Sequence, residues 1–248
     1  LTANRDYKTL LKQAEKFNVK NIILTNRKYY EIIKKKNIKK INIYNNFESF
    51  NKIFLSKIDY VMSSIVGLDG LKPTIKIIKF TKKIAIANKE SIICGWNIIK
   101  KELDKNNTKF VPVDSEHFSI WYALKNNLKA NIKKIHLTAS GGSILNVPKN
   151  KINKLKIKDF LNHPNWKMGK KITIDSSTLM NKVFEVIEAK KIFNLKYSQL
   201  GIIIHPQSYV HAIIEYNDGL IKIIAHETTM QIPIFNTIYE NKKNLINK

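Results

Sequence analysis

Short runs of β-branched residues alternate with longer amphipathic stretches along the first hundred residues of the chain. Residues 21–24, 41–44, 60–62 and 84–87 are mostly hydrocarbon, the pattern of strands covered on both faces. Between them, residues 7–17, 28–36, 47–55 and 70–80 carry apolar positions at helical spacing. Alternating strands and helices predict a doubly wound, mostly parallel sheet, a Rossmann-like α/β unit.

Beyond residue 106 the texture changes. Residues 109–113 and 134–139 read as strands, and a helix is expected from Ser115. The polar stretch 146–171 predicts a long binding loop or lid. A helix is expected over 176–193, then strands near Ile202, Ile213 and Leu220, with Asn217-Asp218-Gly219 as a hairpin turn between the last two. The expected division is a partial nucleotide-binding unit over 1–106 and an α/β catalytic unit over 107–248. Leu1-Thr2-Ala3 reads as the end of a buried strand whose earlier residues lie upstream, and no G-x-G-x-x-G turn occurs, so a dinucleotide site is incomplete within these residues.

Composition narrows the picture. The 248 residues suffice for one large or two ordinary units with a real core. One cysteine, Cys94, allows neither an internal disulfide nor a zinc-ligand spacing, which fits a reducing compartment. No apolar run reaches the ~20 residues of a membrane span. The net charge of +25, from 44 Lys and Arg against 19 Asp and Glu, would suit a nucleic-acid binder. Its lysines are scattered rather than focused, so the expectation is attraction of small anions without a specific nucleic-acid partner. Clusters such as Lys34-Lys35-Lys36 read as solvated helix ends.

Four segments carry candidate chemistry. Asp114-Ser115-Glu116-His117 follows an apolar run, which puts two carboxylates at the carboxyl end of a strand, where open α/β sheets bind ligands and hard divalent cations find oxygen donors. An N-cap aspartate with an acidic first turn accounts for the same residues. Residues 175–185 enter the expected helix with hydroxyls at its amino end, a setting for phosphate, and Asn181, Lys182 and Glu185 share a face. An ordinary capped helix is the plain alternative. Ser140-Gly141-Gly142-Ser143 and Asn88-Lys89-Glu90-Ser91 each follow a strand, as a turn and a surface lysine would, or as an anion site.

Together these segments stop being generic. The segments 87–91, 112–117, 140–142, His163-Pro164-Asn165-Trp166-Lys167-Met168-Gly169, 175–185, 204–208 and 230–234 occur in an order that resembles the 1-deoxy-D-xylulose 5-phosphate reductoisomerase family over nearly the whole chain. The resemblance implies conversion of 1-deoxy-D-xylulose 5-phosphate to 2-C-methyl-D-erythritol 4-phosphate with NADPH and Mg²⁺ or Mn²⁺, in non-mevalonate isoprenoid synthesis. It implies that Asp114, Glu116 and Glu185 ligate the metal, and that Ser140, Ser176, Asn181 and Lys182 hold the substrate phosphate. Lys89 and Ser115 would meet the reacting end of the substrate, with His163 and Trp166 in a lid. Asn4, Arg5, Asp6, Asn88, Glu90, Met168 and Gly169 would face NADPH. His211 reads as a support of the site or as a core histidine. The family's Gly-rich first turn would lie before Leu1 and its carboxy-terminal helical domain after Lys248; Ser143-Ile144-Leu145 and Val183-Phe184 also depart from the family's usual residues. The resemblance further implies a homodimer at full length and a bacterial cytoplasm, or else a plastid stroma. A shortened, inactive relative fits the same residues.

Overall fold

The computed structural model describes residues 1–36, 38, 40–125, 131–161, 166 and 169–239. The chain begins with β1 (Thr2–Ala3), α1 (Tyr7–Lys16), β2 (Asn21–Leu24), α2 (Arg27–Lys35) and β3 (Asn42–Tyr44), and the three strands pair in parallel in that order. Parallel strands need crossovers, and the two helices supply them. Each starts at a side-chain cap: Asp6 accepts from the Thr9 N–H at 3.1 Å and Asn26 from the Tyr29 N–H at 3.3 Å. Leu10, Ala14, Ile22, Leu24 and Ile33 close the space between these helices and the sheet.

A second parallel sheet follows from α3 (Phe50–Ile53), β4 (Ile58–Ser63), α4 (Leu71–Ile78), β5 (Thr81–Ile86), α5 (Lys89–Lys105) and β6 (Lys109–Pro112), with strand order β4-β5-β6. Its core joins Ile84 and Ile86 of β5 to Ile77, Ile78, Ile92, Trp96 and Ile99, and includes Ile23 and Phe50 from the first part of the chain. The two sheets face each other through their edge strands β1 and β4. Thr2 and Val61 to Ser63 line one apolar groove there, together with Phe50 and Phe54. The doubly wound, mostly parallel architecture expected for the first hundred residues is what the structure shows.

The remainder comprises α6 (Ser115–Leu124), β7 (Ile132–Ala139), α7 (Ile157–Phe160), α8 (Lys170–Ser177), α9 (Met180–Phe193), β8 (Leu200–Ile204), β9 (Val210–Tyr216), β10 (Ile221–Ala225) and α10 (Gln231–Ile238). Its mixed sheet has the order β10-β9-β7-β8, with β8 parallel to β7 and the other pairs antiparallel. The expected hairpin is present: Gly219 takes a left-handed φ of 87°, and the Leu220 N–H bonds the Asp218 carboxylate at 3.0 Å. One face of this sheet packs Ile135, Leu137, Ala212 and Ile214 against Ile120 and Leu124 of α6 and Ala189 of α9. None of the described helices is long and apolar enough to cross a membrane.

Two expectations need correction. The stretch 146–171 is not one loop: a 3₁₀ segment at Lys149–Lys154 and α7 lie within it, the latter capped where Asp159 accepts from the Lys156 N–H at 2.8 Å. Nor is 176–193 one helix. Ser177 and Thr178 turn their hydroxyls back onto the Ile174 carbonyl, Leu179 adopts a left-handed φ of 59°, and α9 starts afresh at Met180. Hydroxyl side chains compete with the helical ladder in this way.

Candidate functional site

Four elements converge on one cavity of about 250 Å³. The end of β6 delivers Asp114, which caps α6 by accepting from the Ser115 N–H at 3.1 Å and puts Glu116 in the first turn. The first residue of α5 is Lys89. The end of β7 supplies Thr138 and Ser140. Helix α9 presents Asn181, Lys182 and Glu185 from one face, as their spacing of three and four residues requires. Glu185 thus meets Asp114 and Glu116 from far along the chain, with one ligand oxygen of each within 4.8 Å of the others.

Two lysines thread this carboxylate cluster. The Lys89 ammonium lies 2.7 Å from Asp114 and 3.2 Å from Glu185 and donates to the Asn181 side chain at 2.8 Å. Lys182, only 5% exposed, lies 2.6 Å from Glu116, and also contacts Glu185 and the Thr138 carbonyl. Burial opposes charge on every one of these groups, and the outcome depends on neighbours. Burial is the largest single influence at Asp114 and Glu116, but it is overcome by the neighbours together: Lys89, His117 and Lys182 hold the Asp114 carboxyl well below the usual range, and Lys182 with the Ser115 hydroxyl lowers Glu116. At Glu185 burial, reinforced by Glu116, wins over the lysines and the carboxyl is pushed up. Glu188, one turn further along α9, is pushed up by burial to about 7. Three buried or half-buried carboxyls therefore share two ammonium groups, with the Glu188 carboxyl close behind them, a set short of positive charge. Hard oxygen donors in this number suit a divalent ion of the Mg²⁺ or Mn²⁺ kind.

Beside the carboxylates, Ser140, Ser176, Asn181 and Lys182 line the same cavity. Gly142 makes that neighbourhood possible: its φ is 73°, and a Cβ there would fall 2.5 Å from the Ser177 Cα. The hydroxyls are placed differently from the expectation: Ser176 and Ser177 close α8 instead of opening α9, while Asn181 and Lys182, in the first turn of α9, line the same cavity.

The other expected residues separate into two groups. Ser115 lines the cavity and bonds the Glu116 carboxylate, and Trp166 lines it with its ring edge-to-face on His211 at 6.1 Å. His163 and Met168 lie outside the described residues. Asn4, Arg5, Asp6, Asn88, Glu90 and Gly169 are not among the cavity's lining. Asn88 caps α5 and donates to the Gly67 carbonyl at 2.7 Å, Glu90 lies 3.4 Å from Lys171, and Asn4 donates to Thr25 at 3.0 Å. His211, left open between site and core, lines the cavity while stacked on His226 at 3.7 Å; burial, then His226, lowers its pKa to about 4.

Two buried residues escaped the sequence reading. His117 and Glu188 sit directly beneath the carboxylate cluster, the His117 Nδ1 lying 3.5 Å from Glu188 and 3.9 Å from Asp114. The available signal was spacing alone, since each follows a cluster residue by one helical turn.

Comparison with known proteins accords with this geometry. Residues 1–95 match the family 1-deoxy-D-xylulose 5-phosphate reductoisomerase, and residues 110–193 match its C-terminal domain. The reductoisomerase of Pelagibacter ubique is 62% identical over 245 residues, covering 97% of this chain and 63% of that protein. The Clostridium tetani enzyme is 40% identical, covering 94% and 62%. Among solved structures, a reductoisomerase in complex with NADPH, fosmidomycin and magnesium superimposes with a TM-score of 0.89 at 33% identity, over 99% of this chain and 63% of that one. The Zymomonas mobilis enzyme in complex with NADPH gives 0.88 at 30% identity, over 99% and 64%. The chain thus spans a little under two thirds of the length of these relatives. With its sequence and its fold both matched across nearly their whole extent, it belongs to the 1-deoxy-D-xylulose 5-phosphate reductoisomerase family.

Proposed function

We propose that this chain provides the metal- and substrate-binding core of an NADPH-dependent reductoisomerase that converts 1-deoxy-D-xylulose 5-phosphate to 2-C-methyl-D-erythritol 4-phosphate. The observation that carries the reading is the convergence of Asp114, Glu116 and Glu185 on one point beside a serine- and lysine-lined cavity. These carboxylates would hold Mg²⁺ or Mn²⁺. The chemistry such an ion supplies is Lewis acidity toward a ketone and its neighbouring hydroxyl, and that of NADPH is hydride.

The chain's own residues bind and orient. Ser140, Ser176, Asn181 and Lys182 would receive the phosphate, fixing the sugar so that binding energy remote from the reacting carbons lowers the barrier. Lys89 and Ser115 would flank the reacting end, where ammonium and hydroxyl donors stabilise developing oxyanion charge. Trp166 would exclude water as part of a lid with His163. Asn4, Arg5, Asp6, Asn88, Glu90, Met168 and Gly169 would contribute to the NADPH side, in a unit over 1–106 distinct from the catalytic unit over 107–248. The relatives are bacterial, which supports action in a bacterial cytoplasm; a homodimer is the proposed working state.

The test is an assay of the chain carried to the length of its relatives, with Mn²⁺, 1-deoxy-D-xylulose 5-phosphate and NADPH, followed by loss of NADPH absorbance. Turnover is expected, and Glu185→Gln abolishes it. Unchanged turnover in that variant would remove the metal assignment.

A further inference from the structure

We propose that Glu188 is a positioning residue, which acts through His117 to set the spacing of the metal-binding carboxylates Asp114 and Glu185. The inference deepens the metal reading above and rests on it.

The geometry is a second layer beneath the first. Glu188 follows Glu185 by three residues on α9, and His117 follows Asp114 by three residues on α6, so each stands one turn deeper than a cluster carboxylate. His117 is 0% exposed and Glu188 1%. The His117 Nε2 lies 2.9 Å from the backbone carbonyl of Glu185, an atom that can only accept, so Nε2 carries a proton and donates it. That bond ties the turn bearing Glu185 to the helix that Asp114 caps. It leaves Nδ1, which has no hydrogen-bond partner among the described residues, facing the Glu188 Oε2 at 3.5 Å and Asp114 at 3.9 Å.

Asp114 lies too far from Nδ1 to fix the ring, at 3.9 Å, and its carboxylate already meets the Lys89 ammonium at 2.7 Å. Glu188 can. With a proton on Glu188 the carboxyl donates to Nδ1, and with the proton on the ring Nδ1 donates to the carboxylate; the contact joins the same two atoms either way. The resulting chain runs from Glu188 through the imidazole to the Glu185 carbonyl, and outer groups of this kind orient the groups that touch the metal. Packing does not explain Glu188. The side chain is surrounded by protein, its Oε2 has among the described residues no partner other than the Nδ1 that faces it, and burying a carboxyl costs stability.

The two roles make opposite demands on a substitution. Methionine has nearly the volume of glutamate and no group to desolvate, so Glu188→Met should unfold at the same or a higher urea concentration than the parent. It should nevertheless bind Mn²⁺ about 10–100-fold more weakly in a calorimetric titration of the metal-free chain. Glu188→Gln, whose amide N–H can donate to Nδ1, should stay within about threefold of the parent. Mn²⁺ affinity in Glu188→Met equal to that of the parent would overturn the proposal. So would a Met variant that loses its fold, which would make Glu188 a stabilising residue, or a Gln variant as weak as Met, which would remove the hydrogen-bonded route. A parent chain that binds no Mn²⁺ would instead sink the metal reading itself, and this inference with it.

Discussion

Between β5 and α5 the closed interior is hydrocarbon, with Ile84, Ile86, Ile92 and Ile99 at 0–1% exposure, and buried hydroxyls there bond nearby carbonyls, as Thr81 does to Ile77 and Thr108 to Thr81. Between α6 and α9 the interior is equally closed, yet it holds His117, Lys182, Glu185 and Glu188. Among the described residues every buried lysine, glutamate or histidine lies after residue 108. The first region is a scaffold whose contacts are interchangeable in kind, so losses there scale with the hydrocarbon removed. In the second, Lys182, Glu116 and Glu185 depend on partners of opposite charge, and loss of one member leaves another stranded. The proposed site falls where the interior is least favourable for stability alone.

The comparison is broken most forcefully at Lys182. Lys182→Met leaves Glu116 and Glu185 without their shared ammonium, and urea denaturation of the metal-free chain should show a loss of roughly 4 kcal/mol, part of which returns with Mn²⁺. A loss under about 1 kcal/mol would mean that the layer is not closed to water. In the apolar region, Ile84→Ala should cost roughly 3 kcal/mol by the same measurement, with Mn²⁺ affinity untouched; a change in both would show that the two regions are not independent.

Titration sharpens the contrast further. Burial raises Glu188 from 4.5 to about 7, so the folded chain keeps a proton that the unfolded chain releases. Its contribution to stability is full below the unfolded value and is lost as pH rises through the folded one. His211 runs the opposite way: lowered from 6.5 to about 4, it costs stability as pH falls through that window. The informative quantity is therefore the difference between parent and Glu188→Gln, whose stability gap should shift by about 2 kcal/mol between pH 4.5 and 7. A gap independent of pH would contradict the raised carboxyl. The smallest effect belongs to the scaffold's surface: Asp6→Ala removes the cap of α1 and should lower the urea midpoint only slightly, less than any of the changes above, with no change in metal binding.

Much of this was legible in the residues. Periodicity found the alternating strands and helices of the first hundred positions because each strand is covered on both faces and each helix on one. The order of Lys89, Asp114, Glu116, Ser140, Asn181, Lys182 and Glu185 implied one site through its resemblance to a family, and the fold brings them together because strand ends and a single helix face meet at one cavity. The break at Leu179 was hidden, since hydroxyls at 176–178 look the same whether they open a helix or close one, and only their bonds to Ile174 decide. Glu188 and His117 were hidden for another reason. A glutamate on an amphipathic helix normally faces water, and nothing in the local sequence says that a second helix covers it.

The central claim is that Asp114, Glu116 and the distant Glu185 hold one ion, and anomalous scattering from crystals soaked in Mn²⁺ tests it most directly. The account predicts a single strong peak within about 2.0–2.4 Å of oxygens from Asp114, Glu116 and Glu185. A peak elsewhere, with Lys89 and Lys182 still paired to those three carboxylates, would contradict it.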